Sequence, residues 1–172
     1  MFTAYIGLGS NVGDRFENMK QALFHINIIT NTELIKVSPV YESDPMYVED
    51  QDKFYNAVAE IKTGLDPVVL LMELKKIEKK MGRDFQTKRN GPRIIDLDIE
   101  FFDDLVVDTD NLEIPHPRLY ERCFVLRPLS ELNENYKCSK TGKTVKKLLQ
   151  ECKDYSSVEK VAEFSFSSLK SY

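Results

Sequence analysis

The sequence contains no tryptophan, only two histidines, and three cysteines that lie far apart. Cys123, Cys138 and Cys152 are odd in number and widely spaced, which argues against a disulfide framework and against a zinc site. We therefore expect reduced thiols and a cytoplasmic location. No apolar run approaches the roughly 18–20 residues of a membrane span. The first residues form neither a basic segment nor a long apolar segment, so we expect no signal peptide and no membrane partner.

Signatures of several enzyme classes are also missing. No Ser/His/Asp or Cys/His arrangement typical of nucleophilic catalysis is recognisable. The segment 7–13 (GLGSNVG) has neither the G-x-G-x-x-G spacing nor the Lys-Ser/Thr pair of a P-loop, and it predicts a tight strand-to-helix turn. His25 falls within an amphipathic pattern and is interpreted as structural. His116 lies between two prolines near Arg118 and Arg122, which makes it a candidate ligand contact.

The overall composition is that of one ordinary globular domain, which we expect to span residues 1–172. Apolar residues make up 42 % and charged residues 30 %, with a formal net charge of −4. The charge is distributed unevenly. Residues 75–93 contain eight Lys or Arg and two acids, and residues 94–113 contain eight acids and no Lys or Arg. The most basic stretch therefore directly precedes the most acidic one.

Hydrophobic periodicity predicts the order strand, helix, strand, strand, helix, strand. Asp14 and Glu17 form a capping box, and Asp66-Pro67 begins the second helix. This order is the split βαβ pattern of a ferredoxin-like α/β sandwich, an α+β fold with a mainly antiparallel sheet and additional C-terminal elements. Two helices then cover one sheet face and leave the other for a site. The predicted strands are 2–8, 33–42, 54–62 and 94–102. Glycines end the first strand, and Pro39 indicates an edge position or a bulge in the second.

The predicted strand 94–102 carries the strongest local signal. Because side chains alternate across a strand, its apolar residues share one face and its acids share the other. Two aspartates side by side repel each other unless cations or solvent offset the repulsion, and their oxygens suit Mg²⁺. A solvated strand face is an equally open interpretation, and Glu100 fits a surface charge as well. The apolar face consists of Ile95, Leu97, Ile99 and Phe101, and the acidic face of Asp96, Asp98 and Glu100.

The basic loop 83–93 supplies the complementary charge. Arginine presents a planar fork that matches phosphate oxygens, so a polyphosphate with Mg²⁺ is one consistent ligand. Nucleic acid is not expected, because the adjacent acidic stretch repels a phosphate backbone and the aromatic signature of an RNA-recognition sheet is absent. The cations of this loop are Arg83, Lys88, Arg89 and Arg93. The preceding lysines, interpreted as a solvated helix face, are Lys75, Lys76, Lys79 and Lys80.

Four segments resemble 6-hydroxymethyl-7,8-dihydropterin pyrophosphokinases of folate biosynthesis, in order and over about residues 4–131. The element GPRIIDLDI at 91–99 is highly specific. The other three segments are GLGSN at 7–11, SDPM…FYNAV at 43–58 and IPHPRLYERCFVLRPL at 114–129.

The resemblance implies transfer of the β,γ-diphosphate of ATP to the hydroxymethyl group of the pterin, with release of AMP. It implies that Asp96 and Asp98 bind two Mg²⁺ ions, that Arg83 and Arg93 bind phosphate, and that Asp96 also orients the hydroxyl group. The implied pterin-binding residues are Ser43, Asp44, Met46, Phe54, Asn56, Asp96 and Phe124. The implied ATP-binding residues are Glu78, Arg83, Arg93, Ile99, His116 and Arg122. The chain departs from the family pattern at Phe85, Asn90 and Asn111.

Two other function classes remain open at this stage. Another two-metal nucleotide enzyme on the same sandwich, such as a nucleotidyl transferase or cyclase, predicts no requirement for a pterin. A small-ligand regulatory module is the other alternative, and it assigns no function to Asp96 and Asp98. For the main hypothesis, the expected partners are the small molecules ATP and hydroxymethyl-dihydropterin, and the expected state is a monomer or weak homodimer.

Overall fold

The computed structural model describes residues 1–83 and 90–165 of the chain. Its N-terminal part has the predicted order of elements. These are β1 (Phe2–Ser10), α1 (Arg15–Asn27), β2 (Thr32–Val37), β3 (Val40–Ser43), β4 (Phe54–Thr63), α2 (Pro67–Lys80) and β5 (Asp96–Phe102). The C-terminal part consists of β6 (Val107–Asp108), β7 (Glu113–Ile114), a 3₁₀ turn (Leu119–Glu121), α3 (Cys123–Asn133), α4 (Val145–Glu151) and β8 (Val158–Ala162).

Side-chain caps begin both helices of the N-terminal part where they were predicted. The Asp14 carboxylate accepts a hydrogen bond from the backbone N–H of Glu17 at 3.0 Å. Asp66 accepts bonds from two N–H groups in the first turn of α2, and Pro67 occupies the first helical position. Gly82 follows the end of α2 at φ +92°, a conformation that glycine adopts without steric cost.

The main sheet is antiparallel in the order β5-β1-β4-β3-β8, with β2 also paired to β4. This order confirms the ferredoxin-like α+β prediction. The prediction of one strand over 33–42 was wrong, because the chain breaks at Ser38-Pro39 into β2 and β3. Proline lacks a backbone N–H for the ladder. At this break Ser38 satisfies the backbone of the neighbouring strand β4. Its N–H donates to Val58 O, and its hydroxyl accepts the Val58 N–H.

One face of the sheet, called here the inner face, packs under α1 and α2. Apolar side chains from every second residue of β1, β4 and β5 meet the buried stripes of both helices. The core members from β1 are Ala4, Ile6 and Leu8, and those from the helices include Met19, Leu23, Ile26, Leu70 and Leu74.

The opposite face, called the outer face, has two different ends. At the packed end, Tyr5, Val58 and Phe101 are buried under α3 and α4, in a cluster that also contains Leu126 and Leu129. At the site end, the face is open. The prediction of an uncovered second face is therefore right for only one of its ends, because the C-terminal helices fold back over the other.

A β-bulge separates the two ends. Ile6 of β1 pairs with Ile99, and its neighbour Tyr5 pairs with Phe101. Glu100, between Ile99 and Phe101, therefore has no partner and is an extra residue in β5. The bulge shifts the alternation by one position. Phe101 consequently lies on the outer face, and its predicted place in the core beneath the helices was wrong.

The C-terminal segment extends the sheet. β8 pairs with β3, and beyond it the ring of Phe164 stacks on Phe16 of α1 with centroids 5.0 Å apart. In the described ranges 1–83 and 90–165, none of the helices has the length and apolar character that a bilayer span requires.

Candidate active site

Strands β1 and β5 bring two aspartates to the site end of the outer face. In the ladder, Gly9 pairs with Asp96 and Gly7 with Asp98, so small residues stand opposite both acids. The side chains of Asp96 and Asp98 are 20 % and 27 % exposed, respectively. β1 continues to Ser10, so the prediction that the glycines end this strand was wrong. They belong to the floor of the site.

Asp96 is held between two arginines. Its Oδ1 lies 2.5 Å from Arg83 Nη1, and its Oδ2 lies 3.1 Å from Arg93 Nε. Burial acts to raise the pKa of the Asp96 carboxyl, but Arg93 and Arg83 together lower it overall. Asp96 is therefore ionised at neutral pH. The structure thus places Arg83 and Arg93 directly beside Asp96, as the sequence order of the basic and acidic stretches suggests.

Asp98 has weaker partners. Its nearest cations are Arg122, with Nη1 3.6 Å from Oδ2, and Lys75, with Nζ 4.0 Å from Oδ1. His116 Nε2 lies 3.8 Å from Oδ2. Burial, followed by repulsion from Asp96, raises the pKa of the Asp98 carboxyl. Two adjacent carboxyl groups with opposite pKa shifts make a site in which additional positive charge is favourable.

His116 is neutral in this arrangement. Burial, with the nearby Arg122 as the next cause, lowers its pKa to about 4. Its Nδ1 accepts a hydrogen bond from the Arg118 backbone N–H at 3.1 Å, which leaves the Nε2 side directed toward Asp98. A neutral imidazole fits a hydrogen-bonding contact to a ligand.

Glu78 supports the site from α2. Its side chain is fully buried, and its Oε1 accepts bonds from Leu97 N at 2.6 Å and from Lys75 Nζ at 2.8 Å. Its Oε2 lies 2.8 Å from Arg83 Nη1. Lys75 also donates to Leu97 O at 3.1 Å. The interpretation of Lys75 as part of a solvated helix face was therefore wrong, because this lysine ties α2 to β5.

Glu100 is buried, with only 1 % of its surface exposed. The alternative prediction of a surface charge was wrong, because the bulge turns its side chain over Gly7. Burial, together with repulsion from Asp98, raises the pKa of Glu100 to about 8. The sequence carries no signal for this arrangement, because the bulge depends on how β5 pairs with β1.

One cleft adjoins both aspartates and extends toward the loop 44–53. Its walls carry two aromatic rings, Phe54 at the start of β4 and Phe124 at the start of α3. Asn56 donates through Nδ2 to Ser43 Oγ at 2.8 Å, and both side chains are buried. The cleft brings together all the predicted pterin-site residues, which are Ser43, Asp44, Met46, Phe54, Asn56, Asp96 and Phe124.

A second groove lies on the other side of Asp98. It is bordered by Lys75, Ile99, Asn111 and His116. The predicted ATP-site residues are spread over both places. Ile99 and His116 border this groove, whereas Arg93 and Arg122 border the cleft. Arg83 contacts Asp96, and Glu78 contacts Arg83. Phe85, Lys88 and Arg89 of the predicted basic loop lie outside the described residues.

Sequence reasoning missed Asn11 and Tyr47. Asn11 is 2 % exposed, and its Nδ2 donates to Gln51 Oε1 at 2.9 Å and to Asp52 O at 3.0 Å, while its Oδ1 accepts the Arg93 N–H at 2.9 Å. It thus joins three segments around the cleft. Tyr47 receives a hydrogen bond from Arg122 Nε at 3.4 Å. The pattern of the sequence contains no signal for either contact, because both are made between distant loops.

The donor set fits a hard cation that shares its coordination with a substrate. Magnesium takes oxygen ligands and commonly binds through one or two carboxylates, with substrate phosphates and water completing its shell. Asp96 and Asp98 supply two such carboxylates in adjacent positions on rigid backbone. Within residues 1–83 and 90–165, no group of three or more His, Cys, Asp or Glu side chains is arranged to hold a metal ion without such help.

Solved structures with the same architecture carry a related domain. The fold superposes on a crystal structure of an HPPK-DHPS in complex with substrates with a TM-score of 0.70, 16 % identity and coverage of 87 % of this chain and 43 % of that chain. The wild-type Plasmodium falciparum HPPK-DHPS with pterin and p-hydroxybenzoate superposes with a TM-score of 0.69, 20 % identity and coverage of 87 % and 41 %. At this identity the likeness concerns the fold.

Curated relatives are more similar in sequence. The chain is 46 % identical over 129 residues to the 2-amino-4-hydroxy-6-hydroxymethyldihydropteridine pyrophosphokinase of Bacillus subtilis. The matched region covers 75 % of this chain and 77 % of that protein. It is 44 % identical over 132 residues to the folic acid synthesis protein FOL1 of Dictyostelium discoideum, covering 77 % of this chain but 20 % of that protein. The chain thus spans about a fifth of the length of some of its relatives.

The family model of 7,8-dihydro-6-hydroxymethylpterin-pyrophosphokinase (HPPK) matches residues 5–134. This range runs from within β1 to the end of α3, and it includes Asp96, Asp98 and the aromatic cleft. The resemblance seen in the sequence is confirmed, and the chain belongs to the 7,8-dihydro-6-hydroxymethylpterin-pyrophosphokinase family.

Proposed function

We propose that this chain is an ATP- and Mg²⁺-dependent pyrophosphokinase of folate biosynthesis. It transfers the β,γ-diphosphate of ATP to the hydroxymethyl group of 6-hydroxymethyl-7,8-dihydropterin and releases AMP. The observation that carries the proposal is the meeting of two features on one sheet face. An aromatic cleft with a buried amide ends at a pair of aspartates, and two arginines flank Asp96, the first of that pair. The family membership of the chain supports the same reaction.

Asp96 and Asp98 are the proposed ligands of two Mg²⁺ ions. Ions held by these two carboxylates would neutralise phosphate charge and would supply Lewis acidity toward phosphoryl oxygens. The chain itself contributes fixed geometry, because both carboxylates project from the same strand beside glycines that leave the floor open. Asp96 is ionised by its arginine partners, so it is able to accept a hydrogen bond from the substrate hydroxyl and orient it.

Arg83 and Arg93 are the proposed phosphate-binding residues. Both already point into the site through Asp96, and Glu78 braces Arg83 from behind. A guanidinium that is held in place before the substrate binds loses less entropy on binding phosphate. The reaction passes through a transition state with charge spread over phosphoryl oxygens, so positioned cations stabilise it more than a strong base would.

The aromatic cleft is the proposed pterin pocket. Phe54 and Phe124 provide two ring faces for a flat heterocycle, a favourable arrangement for offset stacking. Asn56, Ser43 and the backbone near Asp44 and Met46 provide the donors and acceptors for its edge. A pocket that hydrogen-bonds a substrate edge rejects analogues lacking those groups by a large factor.

The groove at His116 and Ile99 is the proposed nucleotide side of the site, with Glu78 and Arg122 supporting it. His116 acts there as a neutral hydrogen-bonding group, because its pKa is about 4. Arg122 lies between the two subsites, near Asp98, Tyr47 and the ring of Phe124. Its charge is thus available to the diphosphate at the point where the two substrates meet.

The function is tested by supplying ATP, Mg²⁺ and hydroxymethyl-dihydropterin and measuring AMP. We expect AMP release that depends on both the pterin and the metal. Transfer of AMP to an acceptor, or a cyclic nucleotide product, without a requirement for pterin would instead support the nucleotidyl transferase or cyclase alternative. Binding of ATP without any turnover would support a regulatory module.

Three further properties remain predictions. We expect one domain over residues 1–172, a monomer or weak homodimer, and a cytoplasmic location. Light scattering of the purified chain at two concentrations measures the oligomeric state, and fractionation of the source cells measures the location.

A further inference from the structure

Tyr47 borders the aromatic cleft, and the proposed reaction assigns it no role. It lies in the loop 44–53, and its side chain is 38 % exposed. A tyrosine this exposed on a loop commonly has solvent as its main neighbour. Tyr47 instead contacts three residues of one segment that lies far along the chain.

The contacts of Tyr47 lead to the segment 118–122. Its hydroxyl donates to Glu121 Oε1 at 2.9 Å and accepts a longer bond from Arg122 Nε at 3.4 Å. The guanidinium carbon of Arg118 lies 4.7 Å from the centroid of the Tyr47 ring, which is a cation–π contact. A single side chain thus engages this segment with its ring and with its hydroxyl as both donor and acceptor.

These contacts cross the cleft. The loop 44–53 forms one wall, and the segment 118–122 leads directly into α3, whose Phe124 ring belongs to the other wall. Since Arg122 and Phe124 are two residues apart, a loop that is attached to Arg122 is also fixed relative to the Phe124 ring. Tyr47 therefore connects the two walls at the mouth of the cleft.

A separate anchor holds the other half of the loop. Gln51 Oε1 accepts a bond from Asn11 Nδ2 at 2.9 Å, and Gln51 Nε2 donates to Asn90 O at 3.0 Å. These bonds attach the loop to the turn after β1 and to residue 90, neither of which belongs to α3. Tyr47 thus supplies a connection across the cleft that the Gln51 anchor does not.

We propose that Tyr47 is a positioning residue of the aromatic cleft: it links the loop 44–53 to the start of α3 and sets the separation of the two walls before a flat heterocycle enters. The inference rests on the proposed function for the identity of that heterocycle as a pterin. A wall that is held in place before binding loses less entropy when the ligand stacks on it. Tyr47 therefore contributes to pterin affinity, whereas the phosphoryl transfer takes place at the aspartate end of the cleft.

Three variants separate the contacts of Tyr47. Tyr47→Phe keeps the ring above which Arg118 lies and removes the hydroxyl bonds, whereas Tyr47→Ala removes the whole link. Glu121→Ala removes the acceptor of the hydroxyl. Tyr55→Phe is the matched control, because Tyr55 packs on the inner face of the sheet and its ring centroid lies 3.8 Å from the guanidinium carbon of Arg15.

The first measurement is the dissociation constant of hydroxymethyl-dihydropterin in the presence of Mg²⁺ and a saturating non-hydrolysable ATP analogue. We expect Tyr47→Ala to weaken pterin binding about tenfold, or about 1.4 kcal/mol, the scale of one exposed cation–π contact and one hydrogen bond together. Tyr47→Phe should lose about threefold. The dissociation constant of the ATP analogue, the KM of ATP and kcat should each change less than about twofold, and Tyr55→Phe should behave like the unsubstituted chain.

A double-mutant cycle checks that the link is made through the hydroxyl bond to Glu121. In the Glu121→Ala background, Tyr47→Phe should weaken pterin binding less than it does in the unsubstituted chain, because the two substitutions remove the same bond.

Hydrogen exchange of the loop 44–53 measures the link without any ligand. Exchange follows local opening, so Tyr47→Ala should raise the exchange rate of this loop about tenfold, and Tyr55→Phe should leave it unchanged.

Three results would overturn the inference: an unchanged pterin affinity in Tyr47→Ala, an equal loss of affinity for the pterin and for the ATP analogue, or an unchanged exchange rate of the loop. Fully additive losses in the cycle would also contradict it, since they would show that Tyr47 and Glu121 do not share a bond in solution. Failure of the proposed function has a different signature, which is an unsubstituted chain that binds no pterin. In that case the exchange rate alone decides whether Tyr47 links the two walls.

Discussion

The two ends of the outer face are built from the same strands and differ completely in chemistry. At the packed end, Tyr5 and Phe101 lie under two helices with their ring centroids 6.4 Å apart. At the site end, a few residues along the same strands, glycines stand opposite aspartates and the face is open. The packed end stabilises the sheet, whereas the site end keeps charged groups close together at a cost in stability.

The difference shows how a rigid site is supported. Like charges on neighbouring strand positions repel each other, so the aspartate pair adds no stability of its own. Its geometry is held by the packed end on one side and by Glu78 and the capped helix α2 on the other. The bulge at Glu100 lets both ends share β5 by shifting the alternation at the boundary.

The substitution expected to separate the two ends most clearly is at Asp98, because it should affect turnover far more than stability. Asp98→Asn should lower kcat by roughly 10³-fold or more, because a proposed metal ligand contributes several kcal/mol to the transition state and each factor of ten corresponds to about 1.4 kcal/mol. The free energy of unfolding should change by less than about 1 kcal/mol, since the carboxyl group is not well paired. Turnover assays and urea denaturation measure the two effects.

Asp108→Asn provides a matched control, because Asp108 is an exposed aspartate of the same acidic stretch. It should leave both quantities unchanged. A parallel loss of activity and stability in Asp98→Asn would mean that Asp98 is structural and that the two ends of the face do not differ as described.

The packed end should respond in the opposite way. Phe101→Ala removes a ring that is 1 % exposed and lies 4.8 Å from the ring of Tyr136. We expect a loss of about 3–4 kcal/mol in the free energy of unfolding. At temperatures where the variant remains folded, kcat should fall much less than in Asp98→Asn.

Phe2→Ala is the control for this substitution, because Phe2 is 40 % exposed. Its cost should stay below about 1 kcal/mol. If Phe101→Ala abolished turnover in a fully folded protein, the packed end would have to be counted as part of the site.

Glu100, at the boundary between the two ends, should make the free energy of unfolding depend on pH. The pKa of Glu100 is raised from 4.5 to about 8, so the unfolded chain loses this proton at a lower pH than the folded protein. The stability linked to the proton is complete below about pH 4.5 and is lost as the pH rises through about 8. Glu100→Gln cannot ionise and avoids this loss.

In EDTA, Glu100→Gln should therefore unfold with a free energy close to that of the unsubstituted chain at pH 4. At pH 9 its free energy should be higher by up to about 4 kcal/mol. Denaturation curves across this pH range measure the difference. Two parallel profiles would show that the carboxyl group is solvated in solution.

The smallest expected effect lies where α3 rests on β3. The Tyr41 hydroxyl donates to Glu131 Oε1 at 2.7 Å. Burial, with Glu131 as the next cause, raises the pKa of Tyr41 to about 12. Tyr41→Phe should cost about 1 kcal/mol, the usual contribution of one hydrogen bond, without changing kcat. Tyr155→Phe, at a side chain that is 92 % exposed, should cost nothing measurable by the same denaturation assay.

Local patterns predicted the helices and the order of strands, because caps and hydrophobic periodicity act over a few residues. Alternation also placed Asp96 and Asp98 on one face. It failed at Phe101, since a bulge depends on the partner strand and leaves no mark in the sequence of β5 itself. The burial of Glu100 and the links made by Asn11 could not be predicted, because they depend on contacts between residues far apart in the chain.

The contact between Gly7 and Glu100 constrains the order in which this protein could change. An alanine at position 7 would meet the Glu100 carboxylate at 2.5 Å, so the side chain of Glu100 would have to turn aside or be shortened to make room. Replacing Glu100 first meets no such obstacle. An alanine at position 7 is therefore easier to accept after Glu100 has been replaced than before, and a library that varies the two positions together samples combinations that separate libraries do not.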